Sequence, residues 1–148
     1  MSKAPAGGIL AIDHGTKRTG FAVADPLRIS VQALERFSGD GAGGALLDHV
    51  AKLLDERTIA TLLVGNPKNM DGSDGPRAKE VRAVADRLRA RFPKLEVVLY
   101  DERLTTKAAE ELLREMGERG EKARALRDSM SALVLLRDWL ASGEPRAT

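Results

Sequence analysis

Three acidic positions carry most of the chemical interest in this chain of 148 residues: Asp13, the pair Asp101-Glu102, and Asp128. Asp13 closes an apolar run that begins at Ile9 and stands before a short turn holding Gly15 and two cations, Lys17 and Arg18. A carboxylate flanked by Ile and Ala needs a partner, because burying an uncompensated charge is expensive. Asp101-Glu102 follows a second apolar run through Leu95, Val97, Val98 and Leu99, and Asp128 directly precedes an apolar helical face. Hard cations such as Mg²⁺ take oxygen ligands and keep several waters. Two of them about 3.5–4 Å apart can activate a water and stabilise the leaving oxygen of a phosphodiester. Three carboxylates suit that task. Composition alone favours a plainer reading, in which Asp128 only caps its helix and Glu102 pairs with Arg103.

Placing these acids together requires strands that end at a common edge. Ile9–His14, Thr19–Asp25 and Ile29–Glu35 read as three successive strands, the first two joined as a hairpin through a Gly-containing turn. Pro26 marks a turn before the third. Gly39–Gly44 breaks into a helical pattern with Leu46, Val50, Leu53 and Leu54 on one face. Ile59–Val64 reads as a short buried strand stopped by Gly65-Asn66-Pro67. After a loop rich in Asn, Asp, Gly and Ser, Pro76 opens a helix, as Pro does well in a first turn. Its apolar face includes Ala78, Val81, Val84, Ala85, Leu88 and Phe92, and Pro93 ends it.

Leu95–Tyr100 is a fifth strand, and Thr105 or Thr106 can cap a helix showing Ala109, Leu112, Leu113 and Met116. Gly117–Arg127 is polar and expected to be mobile, with a last helix starting near Asp128 and carrying Met130, Leu133, Val134 and Leu140. The order βββαβαβαα describes an α/β mixed sheet, its first three strands antiparallel, with helices on both faces. One domain accounts for residues 1–148, with flexible tails expected at 1–7 and 143–148.

At 43% hydrophobic and 31% charged, the composition is that of an ordinary globular domain. No apolar run approaches the roughly 20 residues that span a bilayer, so no membrane partner is expected. The opening MSKAPAGG lacks the apolar stretch of a secretory signal. Without cysteine there is no disulfide, thiolate zinc site or Cys nucleophile, and the cytoplasm is the expected location. The net charge of +2 demands no acidic partner. Locally, Arg77, Lys79, Arg82, Arg87, Arg89, Arg91 and Lys94 outnumber Glu80 and Asp86, yet they flank the apolar stripe on both sides and read as a solvated face.

Other features recede. His14 and His49 are too few and too separate for zinc, and alternation turns His14 to the sheet face opposite Asp13. Gly39–Gly44 matches G-x-G-x-x-G formally, but no βαβ unit surrounds it and no acid ends the next strand. Aromatics are scarce, so stacking on splayed bases is not expected to dominate.

Four separated motifs occur in order: AIDHGTKRTGFAVADP at 11–26, VGNPKNMDGSDGP at 64–76, DERLTT at 101–106 and DSMSALVLL at 128–136. Together they resemble the RNase H-like superfamily, and more narrowly the YqgF/RuvX family of Holliday junction resolvases, whose members are implicated in maturing the pre-16S rRNA end. The resemblance runs from Ile9 to about Leu140. It implies a nuclease in which Asp13, Glu102 and Asp128 are catalytic and hold Mg²⁺ or Mn²⁺. Resolvases of the RuvC type take the second acid from the fourth strand. Here that strand ends in Val64-Gly65, so Glu102 substitutes, with Asp101 as its neighbour.

Around the acids, Gly15 would let a phosphate backbone approach and Thr16 could donate a hydrogen bond. Lys17, Arg18, Lys68 and Arg103 would neutralise phosphates, positioning substrate without reading its sequence. For Lys68 a solvated cation is an equal reading. RNA, including pre-16S rRNA, or branched DNA would be the partner, and a symmetric junction would call for a homodimer. Two alternatives stand beside this one. The chain could be a non-catalytic rRNA- or DNA-binding module. Asp13-x-Gly15-Thr16 also resembles the phosphate hairpin of sugar kinases and actin, although those proteins enclose ATP between two such domains.

Overall fold

The computed structural model describes residues 7–67, 75–101, 111, 114 and 120–146, with side chains of the last stretch described from Ser129 onward. The chain opens with β1 (Gly8–Asp13), β2 (Arg18–Ala24) and β3 (Val31–Ser38). There follow α1 (Gly44–Asp55), β4 (Ile59–Asn66), α2 (Pro76–Arg91), β5 (Glu96–Asp101) and α3 (Gly120–Ala141). The helix expected after Thr105 lies outside the described residues. The sheet order is β3-β2-β1-β4-β5. β2 runs antiparallel to β1 and β3, while β4 is parallel to β1 and β5. No helix among the described residues is long and apolar enough to cross a membrane.

Side-chain alternation divides the core in two. Ile9, Ala11, Ala22, Leu63 and Val98 pack with Met130, Leu133, Leu136 and Trp139 of α3. On the other face Leu10, Ile12, Phe21, Leu62 and Val64 meet Leu46 and Val50 of α1 and Val81 and Leu88 of α2. Each fully buried aliphatic side chain contributes about 1.5–3 kcal/mol, so both faces are covered because both are apolar.

Two expectations are corrected. β3 starts at Val31 rather than Ile29, because Asp25 closes the preceding turn by accepting from the amides of Ser30 at 2.6 Å and Leu27 at 3.3 Å. That leaves Ile29 in the turn and 80% exposed. The last helix starts at Gly120, not near Asp128. Glu121–Arg127 is polar, but Glu, Lys, Ala, Arg and Leu all favour helix, and polarity marks a solvated helix surface as readily as a loop. Asp128 therefore lies about two turns inside α3, not at its cap.

Residues 144–146 contact the body of the domain. Arg28 Nε and Nη2 donate to Glu144 at 3.2 and 3.1 Å, and Arg146 Nε donates to Glu96 at 3.1 Å. Trp139 Nε1 donates to the Pro145 carbonyl at 2.9 Å. The Arg146 guanidinium also lies 5.0 Å from the centre of the Trp139 ring, where the negative face of the π-system attracts a cation.

Candidate active site and substrate-binding turn

β1, β4 and β5 are parallel neighbours, so their carboxyl ends share one edge of the sheet. Ile12 is level with Val64, Gly65 with Tyr100, and Asn66 with Asp101. Ligand crevices of open α/β sheets lie outside such carboxyl ends. Asp13 closes β1 at this edge and is half-buried. Alternation gives it the face of Ile9 and Ala11, which is the α3 side. Its register partner on β2 is Gly20, so no side chain from that position competes with the carboxylate for space.

α3 meets the sheet at the same place. Ser129 is fully buried, and its hydroxyl accepts from the Phe21 amide at 3.5 Å, one residue from Gly20. The α3 backbone at Asp128–Ser129 thus lies over β2 beside the pair Asp13–Gly20. Asp13 and the backbone position of Asp128 share an edge and a face. The side chain of Asp128, and Glu102, Lys68 and Arg103 entirely, lie outside the described residues. Among the described residues no three metal-ligating side chains converge. Asp101 ends β5 at the same edge, but alternation gives it the face of Val97 and Leu99, away from Asp13.

The turn after Asp13 is exposed at Thr16, Lys17 and Arg18 and half-buried at Gly15. It is gripped from behind by two elements. From the β3–α1 loop, the Gly39 amide donates to the Lys17 carbonyl at 2.8 Å and the Gly41 amide to the Thr16 carbonyl at 3.0 Å. A Cβ on Gly41 would sit 2.3 Å from the Gly15 carbonyl oxygen and 2.4 Å from His14 Nε2. The Gly-rich segment is thus a close-packing surface against the turn; its match to a nucleotide motif was formal.

From α2, Arg77 Nη2 donates to the His14 carbonyl at 2.6 Å and Nη1 to Thr16 Oγ1 at 3.3 Å, while Nη1 also pairs with Glu80. The basic face of α2 is therefore not solvated throughout, contrary to its composition: Arg77 turns inward onto the turn. Arg89 and Arg91 do stay at the surface, paired with Asp86 and Asp48. The sole local hint at Arg77 was its place directly after Pro76 at a helix start, closing the loop that follows β4.

His14 is buried on the face opposite Asp13, as alternation requires. Its Nε2 lies 3.0 Å from the Gly41 carbonyl and therefore carries the proton, leaving Nδ1 to face Arg77 Nη2 at 3.4 Å. Burial holds the imidazole below its ordinary pKa; the Gly41 hydrogen bond opposes this and the Arg77 charge reinforces it. A cavity of about 280 Å³ opens on this side, lined by Thr16, Asp40, Ala42, Glu80, Val84 and Arg87 among others.

Comparison with known proteins agrees with this arrangement. Residues 7–142 match the family model described as RuvX, Holliday junction resolvase. A protein of Acetivibrio thermocellus named "Putative pre-16S rRNA nuclease" is 37% identical over 134 residues, covering 90% of this chain and 95% of the relative. One of the same name from Geobacillus kaustophilus is 42% identical over 134 residues, covering 90% and 96%. Among solved structures, Thermus thermophilus RuvC in complex with a Holliday junction substrate superposes with a TM-score of 0.56 at 14% identity, covering 94% of this chain and 98% of that one. Fowlpox virus resolvase with its Holliday junction DNA gives 0.58 at 12% identity, covering 93% and 99%. These likenesses establish the RNase H-like fold of the sheet. The sequence matches establish kinship: this chain belongs to the RuvX family of Holliday junction resolvases.

Proposed function

We propose that this chain is a metal-dependent nuclease hydrolysing phosphodiester bonds of structured nucleic acid, with the pre-16S rRNA end and Holliday-junction-like DNA as its substrate classes. One observation carries the reading: Asp13 stands half-buried at the carboxyl edge of the parallel strands, under the α3 backbone at Asp128–Ser129. A strand-end carboxylate beside a glycine suits a hard cation that keeps its waters. Asp13, Glu102 and Asp128 would hold Mg²⁺ or Mn²⁺. Along β5, Val98 and Tyr100 turn to the Asp13 face; Glu102 follows β5 in sequence, outside the described residues.

When bound, the metal would supply Lewis-acid activation of water and of the leaving oxygen. The residues of the chain do the rest. Asp13 orients its carboxylate toward the crevice, Gly15 admits the phosphate backbone, and Thr16, Lys17 and Arg18 contact it, with Lys68 and Arg103 as further cations. Such contacts fix register without reading bases. Two copies about a two-fold axis would offer paired sites to a symmetric junction. We place the activity in the cytoplasm, in keeping with a cysteine-free chain.

The test is a cleavage panel in Mn²⁺ that compares pre-rRNA fragments, four-way junctions and plain duplexes, using wild type and Asp13→Asn. Wild-type cleavage lost in the variant supports the assignment. Cleavage retained by the variant removes Asp13 from the chemistry, and binding without any wild-type cleavage favours a recruiting module.

A further inference from the structure

We propose that Arg77 is a positioning residue for the substrate-binding turn, resting on the reading of Gly15–Arg18 as the phosphate-contacting segment. Arg77 belongs to none of the acids or cations invoked above. It approaches from α2, on the sheet face opposite Asp13, so it acts through the turn and touches no reacting atom.

Peptide geometry gives the grip its consequence. The described residues contain no cis peptide bonds, and in a trans peptide the N–H of each residue points opposite to the preceding carbonyl. Arg77 draws the His14 carbonyl toward α2, which turns the Gly15 amide away from α2 and toward the Asp13 side. Gly41 draws the Thr16 carbonyl toward its own loop, which turns the Lys17 amide outward. Among the described residues neither the Gly15 nor the Lys17 amide donates to another group. Backbone amides aimed out of a turn without an acceptor are available to an anion. The exposed Lys17 and Arg18 stand beside these amides.

Arginine suits this place for a geometric reason. Its planar fork serves the His14 carbonyl and Thr16 Oγ1 at once, and the Glu80 carboxylate steadies the same guanidinium. A lysine ammonium is a point charge on a flexible stem and cannot reproduce that pattern. Pro76 immediately before it pre-sets the first turn of the helix from which Arg77 reaches. Sixty-three residues separate Arg77 from His14 in sequence, so the grip ties the turn to a distant segment of the chain, the start of α2.

The experiment measures the Kd of a fluorescent RNA hairpin carrying a 5′ single-stranded extension, in EDTA, and separately kcat at saturating substrate in Mn²⁺. Arg77→Ala should weaken binding about tenfold, the order expected for losing a hydrogen bond to a charged group, with kcat at saturation close to wild type. Arg77→Lys should recover part of the affinity. Gly41→Ala, which presses on the same turn from the β3–α1 loop, should reproduce the split. Arg89→Ala, removing an exposed cation of the same helix, should change neither quantity. If Arg77→Ala does not fold, the Lys and Gly41 variants decide. Unchanged Kd in the Arg77 variants, a fall in kcat at unchanged Kd, or a Lys variant no better than Ala overturns the proposal. A wild type that binds but never cleaves sinks the nuclease reading instead, and the Kd comparison still judges Arg77.

Discussion

The Ser129 hydroxyl accepts a hydrogen bond from the Phe21 amide at 3.5 Å, tying α3 to β2 beside Gly20, the register partner of Asp13. Phe21 sits where the β2–β3 pairing shifts register, a place where a strand amide can lack a ladder partner. A helix side chain supplies the acceptor. The contact also brings the α3 backbone at Asp128 over the Asp13 edge, so one polar bond between buried residues joins core stability to site geometry.

Ser129→Ala should therefore cost about 0.5 kcal/mol, the low end for a hydrogen bond, because 3.5 Å is long for N–H···O. Urea unfolding should show a lower midpoint at unchanged slope. A midpoint equal to wild type would mean the bond is replaced by solvent.

Asp13→Asn should reduce cleavage by about 10³-fold or more, since a neutral amide is a poor ligand for a hard cation. Mn²⁺ should raise the Tm of the wild type but not of this variant, because a ligand held only by the folded state stabilises it by about 2.7 kcal/mol at a hundred times its Kd. Differential scanning calorimetry with Mn²⁺ and then with EDTA reads this directly. An equal metal-linked shift in both proteins would place the ion elsewhere.

Acid should destabilise the fold through its histidines. His14 is held below its ordinary pKa first by burial, and His49 likewise, with Lys52 adding to the effect. The unfolded chain protonates these rings near 6.5, while the folded one resists until lower pH. Between those values the unfolded state binds more protons, so stability is full above the ordinary pKa and falls as pH drops through this window. Tm should decline between about pH 7 and 5.5, and His14→Gln, whose amide can still donate to Gly41, should flatten the decline. A wild-type Tm constant over that range would contradict the burial of a neutral ring.

The tail strap should be measurable too. Arg28 holds Glu144 through two nitrogens with both side chains about one-fifth exposed. Glu144→Gln or Arg28→Ala should each cost about 0.5–1.5 kcal/mol, discounted for partial solvent screening. The double variant should cost less than the sum if the two act as a pair. Full additivity in thermal melts would show that the contact contributes nothing specific.

Much of the framework is legible in one dimension. Apolar alternation and Gly or Pro punctuation locate all five strands, α1 and α2, and they place Asp13 at a strand end and His14 on the opposite face. Local patterns can do this because burial is periodic along a strand or helix, and the two sheet faces share one spacing. The four ordered motifs also identify the family, since short segments carry it.

What they cannot show is which distant polar groups meet. A cation saturated by a carbonyl sixty-three residues away reads the same as one facing water, so Arg77 looked like solvated surface. The Gly39–Gly44 run resembled a nucleotide loop until the approach of Gly15 explained Gly41. The polar residues ahead of Asp128 fit loop or helix equally in composition, and only the backbone decides for helix. Apolar periodicity thus built the sheet and chose its faces; long-range hydrogen bonds, which leave no repeat in the chain, decided how the turn after Asp13 is held.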